Sequence, residues 1–78
     1  MGTKQHEVNL MLEGRGCLGK AASDEPIFIL RGQDKLAPDL IEQWANMAYE
    51  MGCPAAKVQE AHDLADQMRN WHLRKYPD

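Results

Sequence analysis

The clearest hydrophobic pattern lies in the second half of the chain, where apolar side chains recur every three or four residues. This spacing predicts an amphipathic helix over residues 38–51. Pro38 suits the first helical turn, and Gly52 can take the left-handed conformation that ends a helix. The apolar stripe of this helix consists of Leu40, Ile41, Trp44, Ala45, Met47, Ala48 and Met51.

The same spacing resumes after Pro54 and predicts a second helix over residues 55–75, which Pro77 would stop. Because only residues 52–54 separate the two predicted helices, we expect the helices to fold back as an antiparallel hairpin. Trp44 and Trp71 would then lie in the core between them. The alternative is that apolar residues of this half form an interface for self-association or a partner. The candidates for that interface are Trp44, Met47, Met51, Met68 and Trp71.

The first half of the chain has weaker patterns. Residues 6–12 alternate polar and apolar side chains, which predicts a short strand, although Met11 breaks the alternation. Residues 26–31 are the most apolar run, and we favour a buried strand there over a helix capped by Asp24. The predicted fold class is mainly α, with a C-terminal antiparallel two-helix hairpin preceded by a glycine-rich loop and one or two short strands as a minor α+β element.

The length of 78 residues allows one small domain over residues 1–78, and we expect residues 1–16 to be a flexible or accessory part of it. Five of these residues are aromatic, so the core must consist mostly of aliphatic side chains and methionine. Domains of this size gain stability from disulfides, metals or self-association, and the first two have little support here. We therefore expect a homo-oligomer, a dimer or larger.

Charge and cysteine content exclude several classes of protein. The net charge is −3, the acidic residues concentrate in the helical half, and no basic stripe suited to duplex nucleic acid is present. Cys17 and Cys53 form no CxxC pair, so we expect reduced thiols. No apolar run is long enough to cross a bilayer, and no signal-peptide core is present, which together predict a soluble cytoplasmic protein that binds no membrane.

Candidate ligand-binding chemistry concentrates in the first half. Gly14, Gly16 and Gly19 have the spacing of a dinucleotide fingerprint, but no βαβ unit follows, so a flexible loop is favoured over an anion-binding nest. Cationic and amide side chains beside this loop suit a phosphate-bearing ligand. The alternative is a solvated surface of mixed charge. The candidate ligand-binding residues are Arg15, Lys20, Arg31, Gln33, Asp34 and Lys35.

Catalytic and metal chemistry have little support in the sequence. His62 and Asp66 share a helix face, but two ligands do not define a zinc site, and His72 lies further along. Cys17 and Cys53 would need a base brought by a tertiary contact to act as nucleophiles. We therefore expect no catalytic residues, no metal and no cofactor, and a protein that is not an enzyme.

Residues 17–38, with the sequence CLGKAASDEPIFILRGQDKLAP, resemble a segment of small bacteriophage and prophage proteins of unassigned function. Trp44-Ala45, Lys57-Val58, Glu60-Ala61, Asp66-x-Met68 and Trp71 extend the resemblance over residues 17–78. The resemblance implies a counter-defence protein in the host-cell cytoplasm. Such a protein would sequester a nucleotide-derived signal through the candidate ligand-binding residues, or occlude a host protein through an acidic helical face. That face comprises Glu42, Glu50, Glu60 and Asp63.

Overall fold

The computed structural model describes residues 1–77, and Asp78, the last residue of the single predicted domain, lies outside the described residues. The described chain is mainly helical, which confirms that part of the predicted fold class. None of its helices is long and apolar enough to cross a membrane. The helices are α1 (Lys4–Leu12), α2 (Gly16–Lys20), α3 (Ala37–Glu50) and α4 (Ala55–Arg69).

The strand predicted over residues 6–12 is wrong, because these residues belong to α1. Thr3 caps the helix: its hydroxyl oxygen accepts a hydrogen bond from the His6 N–H at 3.2 Å, and its carbonyl accepts one from the Glu7 N–H at 3.0 Å. This cap lies ahead of the alternating run, so the run alone gave no indication of a helix start. Gly14, with a φ of 70°, follows the end of α1.

The glycine-rich segment, predicted as a loop, contains the short helix α2, which packs on α1. A Cβ atom at Gly19 would lie 2.8 Å from the carbonyl carbon of Gly14 and 3.3 Å from the Cα atom of Met11. Only glycine allows so close an approach between two backbones. The glycine at this position therefore brings α2 against the end of α1.

Residues 26–31 form neither the buried strand nor the helix predicted for them. They run without turn or bend, and no backbone partner exists for residues 26–30 among residues 1–77. Ile27, Phe28 and Ile29 are 51%, 82% and 65% exposed. The apolar run has the composition of a strand, but the described chain supplies no second strand for it to pair with.

The helices α3 and α4 pack against each other through small side chains. Ala45 and Ala48 of α3 meet Val58 and Ala61 of α4, and Ile41 packs against this cluster. Alanine at these positions lets the two backbones approach closely, and each contact removes little apolar surface from water. The core of the described chain is therefore narrow.

The two tryptophans do not form the core, contrary to the sequence interpretation. Trp44 is 45% exposed and Trp71 is 51% exposed. Trp71 also lies outside the helix predicted to carry it, because α4 ends at Arg69, whereas the prediction extended it to residue 75. The buried residues of α4 are Val58, Ala61, Ala65 and Met68, and of these Val58 and Ala61 meet Ala45 and Ala48 of α3.

After α4 ends at Arg69, the chain turns back and bonds to residues 33–35. The Lys75 N–H donates to the Gln33 carbonyl at 2.7 Å, and the Lys35 N–H donates to the Lys75 carbonyl at 2.9 Å. These bonds form a single parallel bridge between Asp34 and Lys75. The Arg74 guanidinium donates to the carbonyls of Met68 and Asp34, and the Met68 carbonyl also accepts a hydrogen bond from the Trp71 N–H at 3.1 Å.

Candidate functional site

A shallow groove of about 200 Å³ lies where the end of the chain crosses the segment that precedes α3. We call this depression the C-terminal groove. The backbone bonds between residues 33–35 and Lys75 hold its two walls together. Its lining residues are Ile29, Arg31, Gln33, Asp34, Lys75, Tyr76 and Pro77.

The C-terminal groove concentrates positive charge in a chain whose net charge is −3. Arg31 is exposed and has no ion-pair partner among residues 1–77. Lys75 lines the same groove, and the Lys35 ammonium lies 5.0 Å from the ring centroid of Tyr76. Asp34 is the one acidic lining residue within the described part, and its carboxylate accepts a hydrogen bond from the Leu36 N–H at 2.8 Å. The groove is therefore suited to an anion.

The structure divides the six predicted ligand-binding residues between two regions. Arg31, Gln33 and Asp34 line the groove, and Lys35 adjoins it through Tyr76. Arg15 and Lys20 do not line it. Arg15 forms an exposed pair with Glu13 at 3.1 Å, and Lys20 is the last residue of α2.

The C-terminal residues Lys75 and Tyr76 were missed as groove residues. Both lay in or beside a predicted helix, and no local pattern indicated that they would fold back on residues 33–35. Basic residues such as Arg74 and Lys75 are common in the last turn of a helix, where they complement its dipole, so their charge in the sequence does not by itself indicate a groove. A tertiary contact thus determines their place at the groove.

The predicted interface residues differ in how much of each side chain is exposed. Met68 is buried at 8% exposure, so it is unavailable for a partner. Met47 and Met51 are 59% and 82% exposed, and both tryptophans are about half exposed. Four of the five residues thus remain on the surface of the single chain.

A larger cleft of about 490 Å³ lies between the N-terminal helices and the α3–α4 connection. Cys17 and Cys53 both line it, together with His6 and Trp44, and both cysteines are exposed free thiols. Sequence spacing gave no indication of this cleft, because its walls come from segments far apart in the chain.

The histidine and acidic residues considered for a metal site lie in other contacts. The Nδ1 atom of His62 lies 3.8 Å from a Glu42 oxygen, Asp66 pairs with Arg69 at 3.3 Å, and the His72 ring contacts Trp71. The hydrogen bond from Arg69 lowers the pKa of Glu42 below its ordinary value of 4.5. Within residues 1–77, no three His, Cys, Asp or Glu side chains come together in a way that could hold a metal ion.

No protein-family model, curated protein or solved structure matches this chain. Among the surface features of residues 1–77, the C-terminal groove combines the exposed Arg31 guanidinium, the Gln33 amide and the Tyr76 ring in one place.

Proposed function

We propose that this chain is a non-enzymatic binding protein that captures an anionic, nucleotide-derived signal in the C-terminal groove. Its setting, in this proposal, is a phage-encoded protein of the host-cell cytoplasm that removes a signal used in host defence. Its scaffold is an antiparallel hairpin of α3 and α4. The observation that carries the proposal is the exposed Arg31 guanidinium on the wall of a groove in which Asp34 is the one acidic residue among the described lining residues.

The side chains of the groove offer separate contacts to the parts of a nucleotide. An arginine presents a fork of N–H donors that matches two phosphate oxygens, and Lys75 adds a second positive charge nearby. The amide of Gln33 both donates and accepts, as ribose hydroxyls and base edges require. The ring of Tyr76 offers an apolar face against which a base can stack.

The size of the groove limits how much of a ligand it can hold. Its volume of about 200 Å³ lies below the roughly 300–1,000 Å³ of pockets that enclose a drug-sized ligand. We therefore infer that the groove holds one phosphate with its ribose or base, while the rest of the ligand stays in water or contacts a second chain. Binding by one copy should be modest and should weaken as salt rises.

The test is a thermal-shift screen with cyclic dinucleotides, cyclic trinucleotides and ADP-ribose, with inorganic phosphate as the reference anion. A ligand at about 100 times its Kd should stabilise the folded protein by about 2.7 kcal/mol. Arg31→Gln should abolish the shift without lowering the melting temperature of the free protein. Arg15→Gln is the matched control, because Arg15 is an exposed arginine outside the groove, and it should keep the shift. A shift that survives in Arg31→Gln would contradict the proposal.

A second candidate function is occlusion of a host protein by the helical half. The observation in its favour is the exposure of Trp44, Met47 and Met51, since large exposed apolar groups mark interaction surfaces. The acidic residues proposed to steer that contact are partly engaged already, because Glu42 pairs with Arg69 and Glu60 with Lys57. A screen without any ligand shift, together with loss of the antagonist effect in Trp44→Ala, would favour this function.

A further inference from the structure

The segment Pro26–Leu30 has the composition of a β-strand but pairs with no other strand among residues 1–77. It is rich in β-branched and aromatic side chains, it runs without turn or bend, and its backbone groups have no partner among residues 1–77. Its two ends are tied to folded structure: the Glu25 N–H donates to the Ala22 carbonyl, and Gly32 lies against Met68 and Trp71 of the helical half. Such an exposed edge is a template for pairing with another strand.

We propose that this segment pairs antiparallel with the same segment of a second copy, in a two-fold register centred on Phe28. In this register Ile27 lies opposite Ile29, Pro26 lies opposite Leu30, and the two Phe28 residues lie opposite each other. The proposal does not rest on the nucleotide function, because pairing requires only the backbone and the side chains of residues 25–31.

Charge complementarity is the reason for choosing a second copy as the partner. The same register places Glu25 of each copy opposite Arg31 of the other, on the same face of the ribbon. Neither residue has an ion-pair partner among residues 1–77, and the Glu25 carboxylate accepts one hydrogen bond, from the Ala22 N–H at 3.2 Å. An opposite-charge pair across two strands stabilises their pairing, and the two-fold axis repeats the pair at the other end.

Pro26 decides which backbone groups bond. Proline has no N–H, so it is tolerated only where that position faces away from the neighbouring strand. Residues directly opposite each other alternate between hydrogen-bonded and non-hydrogen-bonded pairs. If Pro26 of one copy and Leu30 of the other form a non-hydrogen-bonded pair, then the two Phe28 residues form one too. The N–H and carbonyl groups of Ile27 and Ile29 then form the bonds between the copies.

The proposed pairing and the C-terminal groove share Ile29 and Arg31. Ile29 and Arg31 both line the groove, as alternate residues on one face of an extended segment would. Glu25 of the second copy would then occupy part of the site that an anion takes. Glu25→Arg therefore separates the two proposals, because it removes the cross-copy pair and leaves Arg31 in place.

The first test measures dimerisation by sedimentation over a range of protein concentrations. Phe28→Asp opposes two carboxylates at the two-fold axis and should weaken dimerisation at least tenfold. Phe28 is 82% exposed, so the fold of the single chain should survive, as circular dichroism would verify. Tyr49→Asp is the matched control, an exposed aromatic residue on α3, and it should leave the dimer unchanged. The proposal would be overturned if the wild-type protein is monomeric, or if Tyr49→Asp abolishes the dimer and Phe28→Asp does not.

The second test swaps the charges of Glu25 and Arg31 and measures hydrogen exchange of the backbone amides. Glu25→Arg and Arg31→Glu should each weaken the dimer, and the double variant should restore it, while anion binding should survive only in Glu25→Arg. In the dimer, the amides of Ile27 and Ile29 should resist hydrogen exchange, and those of Phe28 and Leu30 should exchange rapidly. Uniform rapid exchange over these four amides, or no rescue by the double variant, would show that this pairing does not form.

Discussion

Arg69, in the last turn of α4, donates a hydrogen bond of 2.9 Å to Glu42 of α3, although 27 residues separate them in the chain. The same guanidinium reaches Asp39 at 3.2 Å, near the start of α3. The end of one long helix is therefore joined to the beginning of the other by charge. This contact adds to the narrow alanine core, where few large side chains are buried.

The Arg69–Glu42 contact should make stability depend on pH. Because Arg69 lowers the pKa of Glu42 in the folded protein, its stabilising effect is present above the ordinary value of 4.5 and is lost as the pH falls through the lower folded-state pKa. Arg69→Gln should therefore reduce the free energy of unfolding at pH 7, and its deficit should shrink in acid. Urea unfolding at pH 7 and pH 3 measures both. Lys57→Gln, which breaks the exposed pair with Glu60, should change little at either pH.

The alanines between α3 and α4 should tolerate no larger side chain. Ala61 is fully buried, so Ala61→Leu should force the helices apart and lower the free energy of unfolding by about 1–3 kcal/mol. Ala56→Leu is the control, because Ala56 is an exposed alanine of the same helix. Chemical denaturation measures the difference. Equal stability of the two variants would mean that α3 and α4 do not pack as closely as described.

Gly19 should be essential to the contact between α1 and α2. A Cβ atom there would meet the backbone of Gly14 at 2.8 Å, so Gly19→Ala should separate the two helices at a cost of about 1–3 kcal/mol. Hydrogen exchange of the α1 amides should accelerate, while that of α3 stays unchanged. Gly32→Ala provides the comparison, since a Cβ atom at Gly32 would meet its nearest neighbours at an ordinary 3.7 Å. Slow exchange of α1 in Gly19→Ala would contradict this packing.

Arg74 should hold the end of the chain in place. Its guanidinium donates to the carbonyls of Met68 and Asp34, so Arg74→Gln should lose about 2 kcal/mol of local stability and release residues 70–77. Faster exchange of the Lys35 and Lys75 amides, whose bonds join the two segments, would report the release. Arg31→Gln should leave both amides protected, because Arg31 has no such role. Anion binding should fall in both variants, since both alter the C-terminal groove.

The sequence by itself determined the helical character of the second half. Three- and four-residue spacing of apolar side chains located α3 and α4 to within a residue at three of their four ends, because Pro38, Gly52 and Pro54 are local signals for where a helix begins or ends. It also indicated the strand-like composition of residues 26–31 and the cationic residues Arg31 and Lys35 that lie at the groove.

The tertiary structure alone decided which apolar residues are buried and where the chain ends lie. The spacing that places Trp44 on an apolar stripe does not reveal that alanines, and not the tryptophans, meet across the two helices, because close packing depends on the distance between two backbones. Likewise residues 70–75 do not continue α4, and Lys75 instead bonds to residues 33–35, some forty positions earlier. A contact between distant segments leaves no periodic trace in either of them, so only the folded chain shows it.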